Sequence, residues 1–107
     1  MIYNENGTIL NESNNIINKI KSGNVDEDDL LEYITDNDIA VAIAAAESKY
    51  ATEPILDIAA HDNDKTVRMA ALKNSNIGIN TLKFLCKDSD PEIANTAKLY
   101  LEKRKNK

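Results

Sequence analysis

The chain has one cysteine, one histidine and no tryptophan in 107 residues. A lone Cys86 has no internal disulfide partner and cannot build a multi-thiolate metal site, so a reducing cytoplasm is the expected setting. No apolar run approaches the roughly 18 residues that a membrane-spanning helix needs. The opening MIYNENGTILNE has neither the basic region nor the apolar core of a secretion signal, and none is expected. Bases are scarce early on. Residues 1–64 carry 14 acids and 3 bases, a net of −11, whereas residues 65–107 carry 4 acids and 10 bases, a net of +6. An acidic half repels phosphate, which argues against a nucleic-acid groove running the length of the chain.

What remains is ordinary globular composition, with 42% apolar and 29% charged residues. A chain of this length forms one domain and buries roughly two-thirds of its unfolded surface. Residues 10–107 are read as that domain and residues 1–9 as a flexible N-terminal arm.

One phrase recurs. Asp36-Asn37-Asp38, Asp62-Asn63-Asp64 and Asp88-Ser89-Asp90 lie 26 residues apart. In the same register Val41, Val67 and Ile93 are equivalent, as are Ala45, Ala71 and Ala97. So are Leu30, Leu56 and Leu82; Ile34, Ala60 and Cys86; and Val25, Ala51 and Ile77. Such a period marks repeated supersecondary units. The second aspartate of each pair stands where a helix N-cap is needed, and Pro91 directly after Asp90 suits a first helical position. Val25 with Leu30, and Ile77 with Leu82, have the spacing of hydrophobic staples around Asp26 and Gly78. Thr52 caps the middle copy, with Pro54 in its first turn. These signals predict helices over 12–22, 27–35, 39–49, 53–61, 65–74, 79–87 and 91–104, and no strand. The segment Ile39–Ala46, IAVAIAAA, is apolar all round, as for a helix clamped between neighbours.

The stretch DNDKTVRMAALKNSNIGINTLKFLCKDSDPEI resembles the HEAT-like helical repeats, particularly the leucine-rich repeat variant. Asp62, Asp64, Val67, Arg68, Ala71, Asn74, Asn76, Leu82, Leu85, Asp88, Asp90 and Ile93 carry the likeness, which is closest over residues 60–97. The first unit lacks the aspartate pair, and Arg68 is replaced by Ala42 and Ala94 at the equivalent positions. The resemblance implies an all-α fold, a short α-solenoid of about three 26-residue helix pairs forming a HEAT-like superhelix. It implies binding rather than a reaction. Some members of the variant family carry an iron–sulfur cluster in a cysteine-rich segment, which a chain with one cysteine cannot supply.

The aspartate pairs do not form a calcium loop. Counting from Asp36, position 12 is Glu47 but positions 5 and 6 are Ala40 and Val41; counting from Asp62, position 12 is Lys73. His61 precedes Asp62 at a helix C-terminus, where the helix dipole favours a cation, and no partner nucleophile or acid is visible. Cys86 aligns with core positions and reads as a small buried residue. Tyr33 and Tyr100 are read as structural. No residue is assigned to catalysis, a cofactor or a metal.

The partner-binding candidates are Asp26, Glu27, Asp28, Asp29, Glu32 and Tyr50. Acids in a first helical turn are favoured by the dipole, but this many in succession exceed what capping requires and repel one another. They are either a solvated helix start or a face for a basic partner. Tyr50 is either an interface anchor or a cover for the end of a neighbouring helix pair. The basic tail, Lys98, Lys103, Arg104, Lys105 and Lys107, either complements a helix C-terminus or contacts an acidic partner or nucleic acid.

The functional expectation is a non-enzymatic protein-interaction module. It binds a basic protein and is monomeric apart from that partner, with no membrane role. One concrete form is an inhibitor or immunity protein that neutralises a basic toxin enzyme. A nucleic-acid-associated HEAT-like protein and a self-assembling scaffold are the alternatives.

Overall fold

The computed structural model describes residues 2–3, 9–10 and 12–105. Seven helices make up nearly all of it: α1 (Glu12–Lys21), α2 (Glu27–Tyr33), α3 (Ile39–Glu47), α4 (Glu53–Ala60), α5 (Lys65–Lys73), α6 (Ile79–Leu85) and α7 (Pro91–Lys105). Every helix starts at the residue that the sequence predicts. Most end one or two residues early, because the last residues of the predicted span are used to turn the chain. Thus the amides of Asp36, Asp62 and Asp88 donate to Tyr33, Ala59 and Leu85 at 3.0–3.1 Å, closing a short turn rather than a further α-turn.

The expectation of no strand is corrected. Strands β1 (Ile2–Tyr3) and β2 (Ile9–Leu10) pair antiparallel, Ile2 opposite Leu10 and Tyr3 opposite Ile9. Two residues a side are too few to show an alternating pattern. The arm expected over residues 1–9 otherwise falls on residues 1 and 4–8, which lie outside the described residues.

The aspartate pairs do the same work three times. The first carboxylate accepts the amide of the second aspartate: Asp36 from Asp38 at 2.7 Å, Asp62 from Asp64 at 2.8 Å and Asp88 from Asp90 at 2.8 Å. The second carboxylate then caps the following helix, accepting from Ala40 (3.0 Å), Thr66 (2.8 Å) and Glu92 (2.9 Å). Each pair thus closes one turn and opens one helix.

The equivalent apolar positions all point inward. Leu30, Leu56, Leu82, Val41, Val67, Ile93, Ala45, Ala71 and Ala97 are all buried, all but Val41 in one cluster. Helices α1, α3, α5 and α7 pack in succession, while α4 packs on α5 and α6, and α6 on α7. Helix α3 touches α1, α2, α4 and α5, which explains its apolar circumference, although Ile39 and Ala40 at its start are exposed. The run Ala44–Ala46 is buried, and residues this small let neighbouring helices approach closely.

At the opposite ends of the helices, side chains clamp the turns of the preceding pair. Asn74 is only 9% exposed, and its amide group donates to the carbonyls of Ala46 and Ser48, both at 2.8 Å. Asn76 donates likewise to Lys49 and Ala51, both at 2.9 Å. Displaced by 26 residues, Lys49 and Ala51 become Ser75 and Ile77, and those carbonyls accept from Arg104. Helix α7 does not break where the earlier helices do, so it runs far enough for Arg104 to reach back. In the first pair Tyr50, the counterpart of Asn76, lies over Gly23 instead. Gly23 has φ +81°, and a Cβ there would meet the Tyr50 ring at 2.6–2.8 Å, so both backbone and ring require glycine.

Two measurements follow. Removing the Asn74 amide strands two buried carbonyls, so Asn74→Ala should lower unfolding free energy by about 1–3 kcal/mol. The exposed neighbour substitution Lys73→Ala should stay within about 0.5 kcal/mol; equal effects of the two in urea titrations would contradict the clamp. The second concerns pH. The Ser13 hydroxyl, then the Ala40 amide, holds the Asp38 carboxyl below the usual range; the Thr66 hydroxyl and amide do the same for Asp64. Both therefore shed protons more readily folded than unfolded. The stability this gives is complete above the unfolded value near 4 and is lost as pH falls through the depressed folded values. Urea midpoints should drop from about pH 5 downward, and Asp38→Asn and Asp64→Asn should each flatten that drop. An unchanged slope would refute the assignment.

Candidate functional site

Helix α2 carries five of the six candidate residues, and local hydrogen bonding separates them. Asp26 is the N-cap and accepts the Asp29 amide at 2.9 Å, while Asp29 accepts the Asp26 amide at 3.1 Å, a reciprocal capping box. Glu27 accepts the Thr52 hydroxyl at 2.6 Å. Thr52 is the residue before α4, as expected, but its hydroxyl makes no cap bond and reaches back to α2 instead. Asp28 and Glu32, four residues apart on the exposed side of α2, meet no donor among the described residues. Three acids are thus engaged by the fold, and two are unengaged.

The Thr52–Glu27 bond sets the start of α2 beside the turn that carries Tyr50. That ring is 46% exposed; one side lies over Gly23, and the Lys49 ammonium stands 5.3 Å from its centroid. Tyr50 covers the preceding turn and still presents a face to solvent.

The other end of the helices is held by one side chain. Arg68, on α5, spreads its guanidinium between two aspartate turns. Nε and Nη2 meet the two Asp88 carboxylate oxygens at 2.8 and 3.2 Å, and Nη1 donates to the carbonyls of Asp62 and Asn63 at 2.9 and 3.0 Å. The two side chains are 14% and 5% exposed, so the pair is well shielded. The planar fork suits this arrangement, since one carboxylate and two successive carbonyls are reached at once.

His61, Tyr33 and Tyr100 have structural partners. His61 closes α4: its Nδ1 lies 2.8 Å from the Asp57 carbonyl, and its ring stacks on Phe84 with centroids 4.0 Å apart. Cys86 is half-buried rather than buried. It is the C-cap of α6 and packs against the core, whereas its counterparts Ile34 and Ala60 are enclosed. Tyr33 and Tyr100 pack on the core. Of the basic tail, Arg104 turns back to the Ser75 and Ile77 carbonyls, and the Lys103 ammonium lies 6.0 Å from the Tyr100 ring. Lys107 lies outside the described residues. Among the described residues no three metal-ligating side chains converge, and no helix is long and apolar enough to cross a membrane.

Sequence reasoning gave no structural role to Arg68, Asn74 or Asn76, and it read Arg104 only as part of the basic tail. The signal for the asparagines was present as the Asn-x-Asn phrase, but their acceptors are backbone atoms 25–28 residues away.

Removing the guanidinium leaves the shielded Asp88 carboxylate without its counter-charge. Arg68→Ala should cost about 3–5 kcal/mol. Arg68→Lys should recover only part of that, because an ammonium cannot reach both turns. Chemical denaturation of the three proteins decides it, and full recovery by lysine would exclude the fork geometry as the cause.

Compared with family models, curated proteins and solved structures, the chain matches none.

Proposed function

We propose that the chain is a short α-solenoid of about three HEAT-like helix pairs and acts as a non-catalytic module that binds a basic protein. The observation that carries this reading is the division of labour on α2. The fold engages Asp26, Glu27 and Asp29, yet Asp28 and Glu32 stand exposed with no donor among the described residues. The helix dipole favours Asp28 in the first turn, but Asp28 and Glu32, four residues apart, repel one another in the isolated chain. They lie in the half of the sequence whose net charge is −11. A field of that sign raises the association rate of a positively charged partner.

Tyr50, half-exposed beside the start of α2, is the aromatic anchor of this surface. A small inhibitor or immunity protein that neutralises a basic enzyme is the concrete form that fits this size and charge.

Affinity capture from a lysate of the source organism, at low and then moderate salt, tests the reading. The expected result is one stoichiometric basic protein that is lost on adding salt. The double variant Asp28→Lys, Glu32→Lys should slow its association at low salt by about tenfold or more. Capture of nucleic acid, capture of the chain itself alone, or binding unaltered by the charge reversal would overturn it.

A further inference from the structure

The register that relates the aspartate turns also relates their surroundings, and one site in it is vacant. Arg68 sits between the second and third turns, on the Asp88 carboxylate and the carbonyls of Asp62 and Asn63. A displacement of 26 residues toward the N-terminus turns Asp88 into Asp62, Asp62 and Asn63 into Asp36 and Asn37, and Arg68 into Ala42. All the acceptors persist, but the guanidinium does not.

The first and second turns therefore face each other across a cleft of about 440 Å³, lined by Thr35, Asp36, Asn37, Ala42, Asp62 and Asp64. Asp62 Oδ1 is held by the Asp64 amide, just as Asp88 Oδ1 is held by the Asp90 amide. Asp88 Oδ2 takes the Arg68 Nε, whereas no donor among the described residues meets Asp62 Oδ2. Among the described residues no donor meets the carbonyls of Asp36 and Asn37 either.

We infer that this cleft receives the guanidinium of an arginine side chain carried by a protein partner. The inference rests on the reading of a basic protein partner and names the group that the partner presents. The occupant is identified by an event in the same molecule: one unit further on, the same acceptor set binds a guanidinium. A lysine ammonium, with its donors on one atom, does not match a carboxylate edge and two successive carbonyls. Thr35 at the lip of the cleft follows Glu32 by three residues, and its hydroxyl donates to the Glu32 carbonyl at 3.3 Å. The cleft thus opens beside the C-terminal end of the acidic helix, so an arginine in it leaves neighbouring partner bases for Glu32 and Asp28.

The test is an NMR titration of the whole chain with N-acetyl-arginine amide, N-acetyl-lysine amide, free arginine and calcium in turn. The expected result is saturable shifts at the amides of Asp36, Asn37, Asp62 and Asp64 with the blocked arginine, at least fivefold weaker with lysine. Asp62→Asn keeps the oxygen that accepts the Asp64 amide and loses the charge, so it should fold and weaken the arginine response about tenfold. No saturable shift, an equal response to lysine or calcium, or an unaltered response in Asp62→Asn would each overturn the inference. Free arginine binding more than tenfold tighter than the blocked form would overturn the protein source in favour of the amino acid. The titration needs no partner, so its failure is distinct from failure of the capture experiment.

Discussion

Each break between helices leaves backbone groups that the short helices cannot satisfy themselves, and the fold depends on side chains that do so from fixed positions. The helices from α2 to α6 have seven to nine residues, fewer than an isolated helix needs to persist in water. They persist because their ends are closed. At one end the aspartate pairs close the turn and cap the next helix; at the other, Asn74, Asn76 and Arg104 hold the turn of the preceding pair. The buried leucines and alanines pack in the register that these hydrogen bonds hold.

Because the closures are repeated, the departures from repetition are informative. Tyr50 replaces an asparagine and covers Gly23 with an aromatic ring; Arg104 replaces one from a helix that does not break. Ala42 replaces Arg68 and leaves an acceptor set without its donor. The first two substitutions close a turn by another means. The third closes nothing, and it lies in the acidic half of the sequence, as does Glu32, which meets no donor among the described residues. The exposed charge of α2 and the unfilled acceptors near Ala42 both lie in the acidic half of the sequence.

Much of this was legible in the sequence where the cause is local. The aspartate pairs fixed the starts of α3, α5 and α7, and the aligned apolar positions marked the core, because capping and burial act on residues near in sequence. The clamps were not legible, because Asn74 and Arg104 act on backbone carbonyls more than 25 residues away and no side-chain pattern records a carbonyl. The absence of arginine at Ala42 was visible, but its meaning required the position of Arg68. Of the proposed acidic site, the cluster was visible, whereas the split between engaged Asp26, Glu27 and Asp29 and unengaged Asp28 and Glu32 was set by the tertiary partner Thr52 and the capping geometry.

The claim that the two aspartate-turn interfaces are copies of one arrangement is tested most directly by restoring the missing side chain. A crystal structure of Ala42→Arg, with its urea midpoint, is the measurement. The account predicts a guanidinium on the Asp62 carboxylate and on the carbonyls of Asp36 and Asn37, with a midpoint no lower than that of the parent chain. An arginine turned out to solvent, or a chain destabilised by the substitution, would show that the first interface is not built to hold a guanidinium.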